Sequence, residues 1–168
     1  MKRVIALMLA AMMVVPMVAC GQTQSGGSSG SQATSGSQTT GGSGSQATTD
    51  VEMKYMTGEE LTEVLGQDGY LVLDVRKAAD YETSHIPGAV SADMDAAVNG
   101  DTEAGIETMT AATEGVDDTI VLVCYSGKKY AQASTNALSE IGYDMDKVFT
   151  LEGGFNGWTE AYPDNVES

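Results

Sequence analysis

The chain has 168 residues and a formal charge of −16, with 24 acids against 8 bases and a single histidine. Every acid lies at or after Asp50, while Lys2 and Arg3 sit in an apolar leader, so the part beyond the leader is more acidic than the whole. That balance argues against nucleic acid and against electrostatic docking on anionic lipid, because both need a basic footprint. Two cysteines and one histidine cannot furnish a structural zinc site or a disulfide framework, and no metal or organic cofactor is expected.

The chain opens with Lys2-Arg3 and an apolar run from Val4 to Ala19 that carries Pro16. The run is short for a bilayer span and suits a cleaved export signal over residues 1–19. Met17-Val18-Ala19-Cys20-Gly21 resembles the lipobox of bacterial lipoproteins, with Met17 in place of the commonest leucine. The resemblance implies an acylated Cys20 and a lipid-anchored protein on the extracytoplasmic face of the cell membrane. An ordinary signal with an incidental cysteine, or an uncleaved anchor, is the alternative.

Gly21 to Asp50 is almost wholly Gly, Ser, Gln, Thr and Ala, without an aromatic residue. Such a segment has too little apolar surface to offset its ordering entropy. It reads as a flexible tether whose root-mean-square reach is about 30 Å for roughly 30 residues. Residues 20–50 therefore form a lipidated start and tether. Residues 51–164 form a domain of roughly 110 residues, enough for one core.

Within the domain, Thr57-Gly58-Glu59-Glu60 has capping-box spacing and predicts a helix with Leu61, Val64 and Leu65 on its apolar face, ended by Gly66. Tyr70-Leu71-Val72-Leu73-Asp74-Val75 and Thr119-Ile120-Val121-Leu122-Val123 are continuous apolar runs, as in strands buried on both faces of a parallel sheet. A helix is predicted near residues 103–112 and another over 130–141, stopped by Gly142. Val148-Phe149-Thr150-Leu151 predicts a third strand, followed by Gly153-Gly154 and a short helix with Trp158. Alternating strands and helices mean an α/β fold, three layers about a small, mainly parallel sheet.

Cys124 stands at the carboxyl end of the second apolar run, followed by Tyr125-Ser126-Gly127-Lys128-Lys129 and the start of a helix. Ligands in open α/β sheets bind at the carboxyl ends of strands. Amides of residues 125–129 can curl toward the sulfur, the helix directs its positive end there, and Gly127 permits the tight turn. Lys128 and Lys129 add positive charge, with Lys129 expected to face the pocket. These features favour thiolate over thiol. Of the six cations beyond the leader, Arg76, Lys77, Lys128 and Lys129 all sit at the ends of the two central runs, where an anionic substrate would approach. A buried structural cysteine is the competing reading. Arg76 can line the pocket, or pair with an acid such as Asp80 to pin its loop. His85 precedes the turn Ile86-Pro87-Gly88, which favours a structural hydrogen bond over catalysis, and Trp158 reads as an anchor at the core edge.

Several ordered motifs resemble those of the rhodanese family. They are Leu73-Asp74-Val75-Arg76; Asp80-Tyr81 with His85-Ile86-Pro87-Gly88-Ala89; the loop from Cys124 to Tyr130; and Leu151-Glu152-Gly153-Gly154 with Trp158. The resemblance spans residues 54–163 and implies a rhodanese-like α/β/α domain in which Cys124 becomes a persulfide and the loop amides cradle the transferred group. Ser84 stands where glycine is usual, and Lys129 and Tyr130 where many members carry arginine and serine. Lysine keeps the charge without the planar fork of arginine.

The leading expectation is a sulfurtransferase. A small sulfur anion such as thiosulfate, or a persulfide, donates sulfur to Cys124, and a thiol or cyanide accepts it. Cys124 is the catalytic residue; Tyr125, Ser126, Gly127, Lys128, Lys129 and Arg76 form the substrate site. With Cys20 acylated there is no internal resolving thiol, so discharge is intermolecular. A non-turnover sulfur carrier or protein-interaction module is the alternative, and a cysteine phosphatase is a third, disfavoured by Lys129 and Tyr130. A monomer is expected.

Overall fold

The computed structural model describes residues 50–168; the leader, Cys20 and nearly all of the tether lie outside the described residues. The apolar runs form the centre of a five-stranded parallel sheet of order β1-β5-β4-β2-β3. The strands are β1 (Tyr55–Met56), β2 (Tyr70–Asp74), β3 (Val90–Ser91), β4 (Thr119–Val123) and β5 (Val148–Leu151). The register sets Leu73 beside Leu122 and Leu122 beside Thr150. The sheet is parallel throughout, as the unbroken hydrophobicity of β2 and β4 requires when both faces are covered.

The helices are α1 (Gly58–Val64), α2 (Ala78–Thr83), α3 (Asp95–Val98), α4 (Thr102–Ala112), α5 (Lys129–Glu140) and α6 (Gly154–Ala161). Strand alternation divides the core in two. Ile120, Leu122 and Cys124 point into one cluster with Met94, Met109 and Leu138. Val121 and Val123 point into the other with Leu61, Ile86, Phe155 and Trp158. The sheet is thus flanked by helices on both faces, as expected for the α/β class.

The capping box at α1 forms in full: the Thr57 hydroxyl accepts from Glu60 N–H and the Glu60 carboxylate accepts from Thr57 N–H. Backbone and side-chain hydrogen bonds from Thr57 hold the Glu60 carboxyl below its usual range. Gly66 and Gly142 take the left-handed φ that ends their helices, 77° and 79°. The segment between β2 and α4 holds more structure than its sequence announces. There, Asp93 accepts from the amides of Ala78 at 2.9 Å and Asp95 at 2.8 Å, so one carboxylate caps the starts of both α2 and α3.

Candidate active site

Cys124 follows β4 directly and is 2% exposed, at the floor of the loop that leads into α5. The backbone of α6 sets the loop's orientation. Phe155 N–H donates to the Cys124 carbonyl at 2.7 Å, and Asn156 N–H donates to the Tyr125 carbonyl at 3.1 Å. In a trans peptide the N–H of the next residue points opposite to that carbonyl. Those two bonds therefore turn the amides of Tyr125 and Ser126 away from α6. Among the described residues, none of the N–H groups of residues 125–129 has a backbone or side-chain acceptor. A run of unpaired amides following a cysteine at a helix start is a site for negative charge.

Two glycines let the loop lie this close to α6. Gly127 has φ 68°, and a Cβ there would stand 2.8 Å from the Leu151 carbonyl. Gly154 has φ 59°, and a Cβ there would stand 2.4 Å from the Cys124 carbonyl and 2.7 Å from the amides of Ser126 and Gly127. The glycine pair noted in the sequence thus packs against the cysteine loop.

Tyrosines surround the loop. Tyr125 donates its hydroxyl to Asp80, and the same oxygen accepts from Lys77 N–H at 3.4 Å. Burial, then the bond to Asp80, pushes the Tyr125 phenol up. Tyr130 donates to Asp95 at 2.6 Å, and its ring meets that of Tyr125 edge-on at 5.2 Å. Burial first, then Asp95, raises the Tyr130 phenol well above the ordinary tyrosine range. The same bond holds the Asp95 carboxyl below its usual value, with Lys77 helping at 3.5 Å. On the other side, Tyr55 donates to the Gly127 carbonyl at 3.4 Å.

Tyr125, Ser126 and Gly127 are therefore placed around Cys124, and Lys128 and Lys129 are exposed at the rim. Lys129 faces a groove beside α5, shared with Lys128, whose lining does not include Cys124. Arg76 pairs with an acid, as one reading of the sequence has it, but with a different one. It is 4% exposed and pairs with Asp74, not Asp80, while Asp80 is taken by Tyr125. Its guanidinium also donates to the Ser84 carbonyl at 2.7 Å and stacks 3.7 Å from the Phe155 ring centroid. That geometry fixes the loop after β2 and gives no support to substrate contact by Arg76. His85 lies with its Nδ1 2.9 Å from the Tyr81 carbonyl, stacks on the Tyr81 ring at 4.0 Å, and pairs through its backbone with Glu167. Trp158 is fully buried and donates to the Asn165 carbonyl at 2.8 Å.

Sequence reasoning missed Asp95 and Tyr55. The Tyr55 link depends on the pairing of a two-residue edge strand, and Asp95 lies in the least patterned stretch of the domain.

Comparison with known proteins agrees with this geometry. A thiosulfate sulfurtransferase, GlpE, of Pseudoalteromonas translucida is 28% identical over 114 residues, covering 68% of this chain and 96% of that protein. The structure of a thiosulfate sulfurtransferase from Pseudomonas aeruginosa is similar with a TM-score of 0.52 and 25% identity, over 71% of this chain and 20% of that one. An As-Sb reductase from Leishmania major shares the fold at 21% identity and a TM-score of 0.52, over 68% of this chain and 85% of that one. Residues 57–161 match the family described as the Rhodanese-like domain, and they hold the whole of the cysteine loop and the glycine pair beneath it. The chain belongs to the rhodanese-like domain family.

Proposed function

We propose that this protein is a sulfurtransferase that carries sulfane sulfur on Cys124, held outside the membrane by lipid on Cys20. The Cys124 thiolate attacks the outer sulfur of thiosulfate; the new S–S bond forms as the old one breaks, and sulfite leaves with the bonding pair. The terminal sulfur of the Cys124 persulfide is then attacked by a thiophilic acceptor, cyanide or a thiol, and Cys124 departs as thiolate. Electrons balance without a metal or an external oxidant. The amides of residues 125–129 would donate to the anionic terminal sulfur, and the start of α5 adds its partial positive charge.

The observation that carries this reading is the run of amides after Cys124 that have no acceptor among the described residues. Names of relatives support the same chemistry, since similar proteins are thiosulfate sulfurtransferases. The tether reading rests on the sequence of residues 1–50, which joins a lipobox-like cysteine to a polar, low-complexity stretch.

Thiocyanate production from thiosulfate and cyanide tests the proposal, measured with the chain and with Cys124→Ala. Turnover by the first and none by the second is expected, with one added sulfur atom at Cys124 in the intact mass after thiosulfate alone. An unchanged mass would sink the proposal. Loading without repeated turnover would favour a sulfur-carrying module. Metabolic labelling with a fatty acid, compared with Cys20→Ser, tests the anchor.

A further inference from the structure

The stretch between β3 and α3 is anchored to the sheet by its backbone. Ala92 and Met94 are 3% and 0% exposed, and their N–H groups donate to the carbonyls of Asp74 at 2.8 Å and Val75 at 3.4 Å. Asp93, between them, is exposed and gives each oxygen of its carboxylate a separate task. Oδ2 accepts the first amide of α2, from Ala78 at 2.9 Å, and Oδ1 accepts the first amide of α3, from Asp95 at 2.8 Å. Those helices are six and four residues long and contribute no fully buried side chain. Packing therefore holds them weakly, and the shared cap carries a large part of their placement.

Each of the two helices carries one tie to the cysteine loop. From α2, Asp80 accepts the Tyr125 hydroxyl, and from α3, Asp95 accepts the Tyr130 hydroxyl at 2.6 Å. Lys77, the residue before α2, joins the two ties. Its N–H donates to the Tyr125 hydroxyl at 3.4 Å, and its ammonium stands 3.5 Å from Asp95. Tyr125 and Tyr130 bracket the loop, one directly after Cys124 and the other at the second residue of α5. The loop thus has two supports. The backbone of α6 holds the carbonyls of Cys124 and Tyr125, and the α2–α3 pair holds the tyrosines at its two ends.

Resting on the sulfurtransferase reading, we propose that Asp93 is a positioning residue for the sulfur loading of Cys124. Its carboxylate fixes α2 and α3 against each other, and they in turn hold Tyr125 and Tyr130 so that the amides between them keep their aim. A carboxylate is required because two amide donors need two acceptor oxygens. An asparagine side chain has one such oxygen, and its amino group would face an N–H. Asp93→Asn therefore frees one helix start, and Asp93→Ala frees both. Neither change touches the buried neighbours Ala92 and Met94 or their bonds to the end of β2, so the sheet and core are kept.

The test uses the full chain with Cys20→Ser, which leaves Cys124 as its only thiol. Sulfur loading in a single turnover is followed by intact mass over a range of thiosulfate concentrations. In Asp93→Ala the limiting rate should fall about tenfold or more while half-saturation stays within about twofold, because orientation is lost rather than binding. Asp93→Asn should fall between this variant and the parent. Asp101→Ala is the control: Asp101 caps α4 alone, accepting from Ala104 N–H at 3.1 Å. That variant loses a cap and a charge as well, yet should load within about twofold of the parent rate. In Tyr125→Phe/Tyr130→Phe, where both ties are absent, adding Asp93→Ala should lower the rate by less than about twofold, as expected of residues that act through one another. A parental rate in Asp93→Ala, or a loss that persists undiminished without the two hydroxyls, overturns the proposal. If Asp93→Ala does not fold, Asp93→Asn takes its place in both comparisons. Failure of the parent chain to load overturns the sulfurtransferase reading itself.

Discussion

Asp74 and Arg76 form a buried fork at the end of β2, with Nη2 2.6 Å from Oδ2 and Nε 2.9 Å from Oδ1. Two residues apart along an extended strand, their side chains leave on the same side. The guanidinium then reaches the Ser84 carbonyl and the face of Phe155, so one ion pair joins the sheet to the turn after α2 and to α6. Since α6 in turn holds the carbonyls of Cys124 and Tyr125, the pair supports the cysteine loop at second hand.

Removing one partner leaves a charge buried at 0–4% exposure with no counterpart. Asp74→Ala is expected to cost about 3–5 kcal/mol, read from equilibrium denaturation in urea. Arg76→Lys should lose part of this, because an ammonium cannot span the fork and stack on Phe155 together. A loss under about 1 kcal/mol for Asp74→Ala would show that the fork does not hold the fold.

Gly154→Ala is expected to displace the cysteine loop. Its Cβ would fall 2.4 Å from the Cys124 carbonyl, at a backbone φ of 59° that disfavours side chains. A stability loss of about 2 kcal/mol or more should accompany a fall in sulfur loading of Cys124. Gly157→Ala serves as the control, since its nearest contact, the Glu152 carbonyl, would be at 3.5 Å. Equal loading by the two variants would argue against the tight approach.

Tyr125→Phe removes the hydroxyl that joins the loop to Asp80 and the Lys77 amide. The packing of the ring is kept, so the melting temperature should move by only a few degrees. Transfer turnover should fall severalfold, because the residue next to Cys124 loses its tie to α2. Asp80→Asn should reproduce the effect if that bond positions the loop, and a full rate in both would remove the tie from the mechanism.

The Tyr130–Asp95 bond gives a pH dependence with a defined sign. Tyr130 has a raised pKa in the folded protein, so its contribution to stability is present below the ordinary tyrosine pKa and lost as pH rises through the folded value. Asp95 is lowered, so its contribution is present above the ordinary carboxylate pKa and lost as pH falls through the folded value. Ultraviolet titration of the phenols should show raised ionisations for Tyr125, Tyr130 and Tyr143, and the highest of them should disappear in Tyr130→Phe. Asp95→Asn should bring that transition down only in part, because burial is the larger cause. An unchanged titration in Tyr130→Phe would contradict this assignment.

Strong local patterns are legible in the order of residues. The apolar runs of β2 and β4 announce a sheet covered on both faces, Val148–Leu151 announces a third strand, and the spacing of Thr57 and Glu60 announces the start of α1. Cys124 at the end of β4 marks the loop. Strands β1 and β3 are not legible, because two residues carry no period of their own. Helices α2 and α3 are hidden as well: the residue that caps both, Asp93, is local to α3 but distant in sequence from α2. For Arg76, helix-like spacing points to Asp80, whereas the extended backbone presents it to Asp74.

Sequence by itself determined that a cysteine would close a buried parallel strand and precede a helix, since burial and periodicity are written into neighbouring positions. Only tertiary structure decided which way the loop's amides face, because that depends on α6, about thirty residues later, donating to the carbonyls of Cys124 and Tyr125. It also decided that Lys129 looks along α5 and that Asp95 and Tyr55 reach the loop. Such contacts arise from the packing of separate elements, and no local rule of spacing contains them.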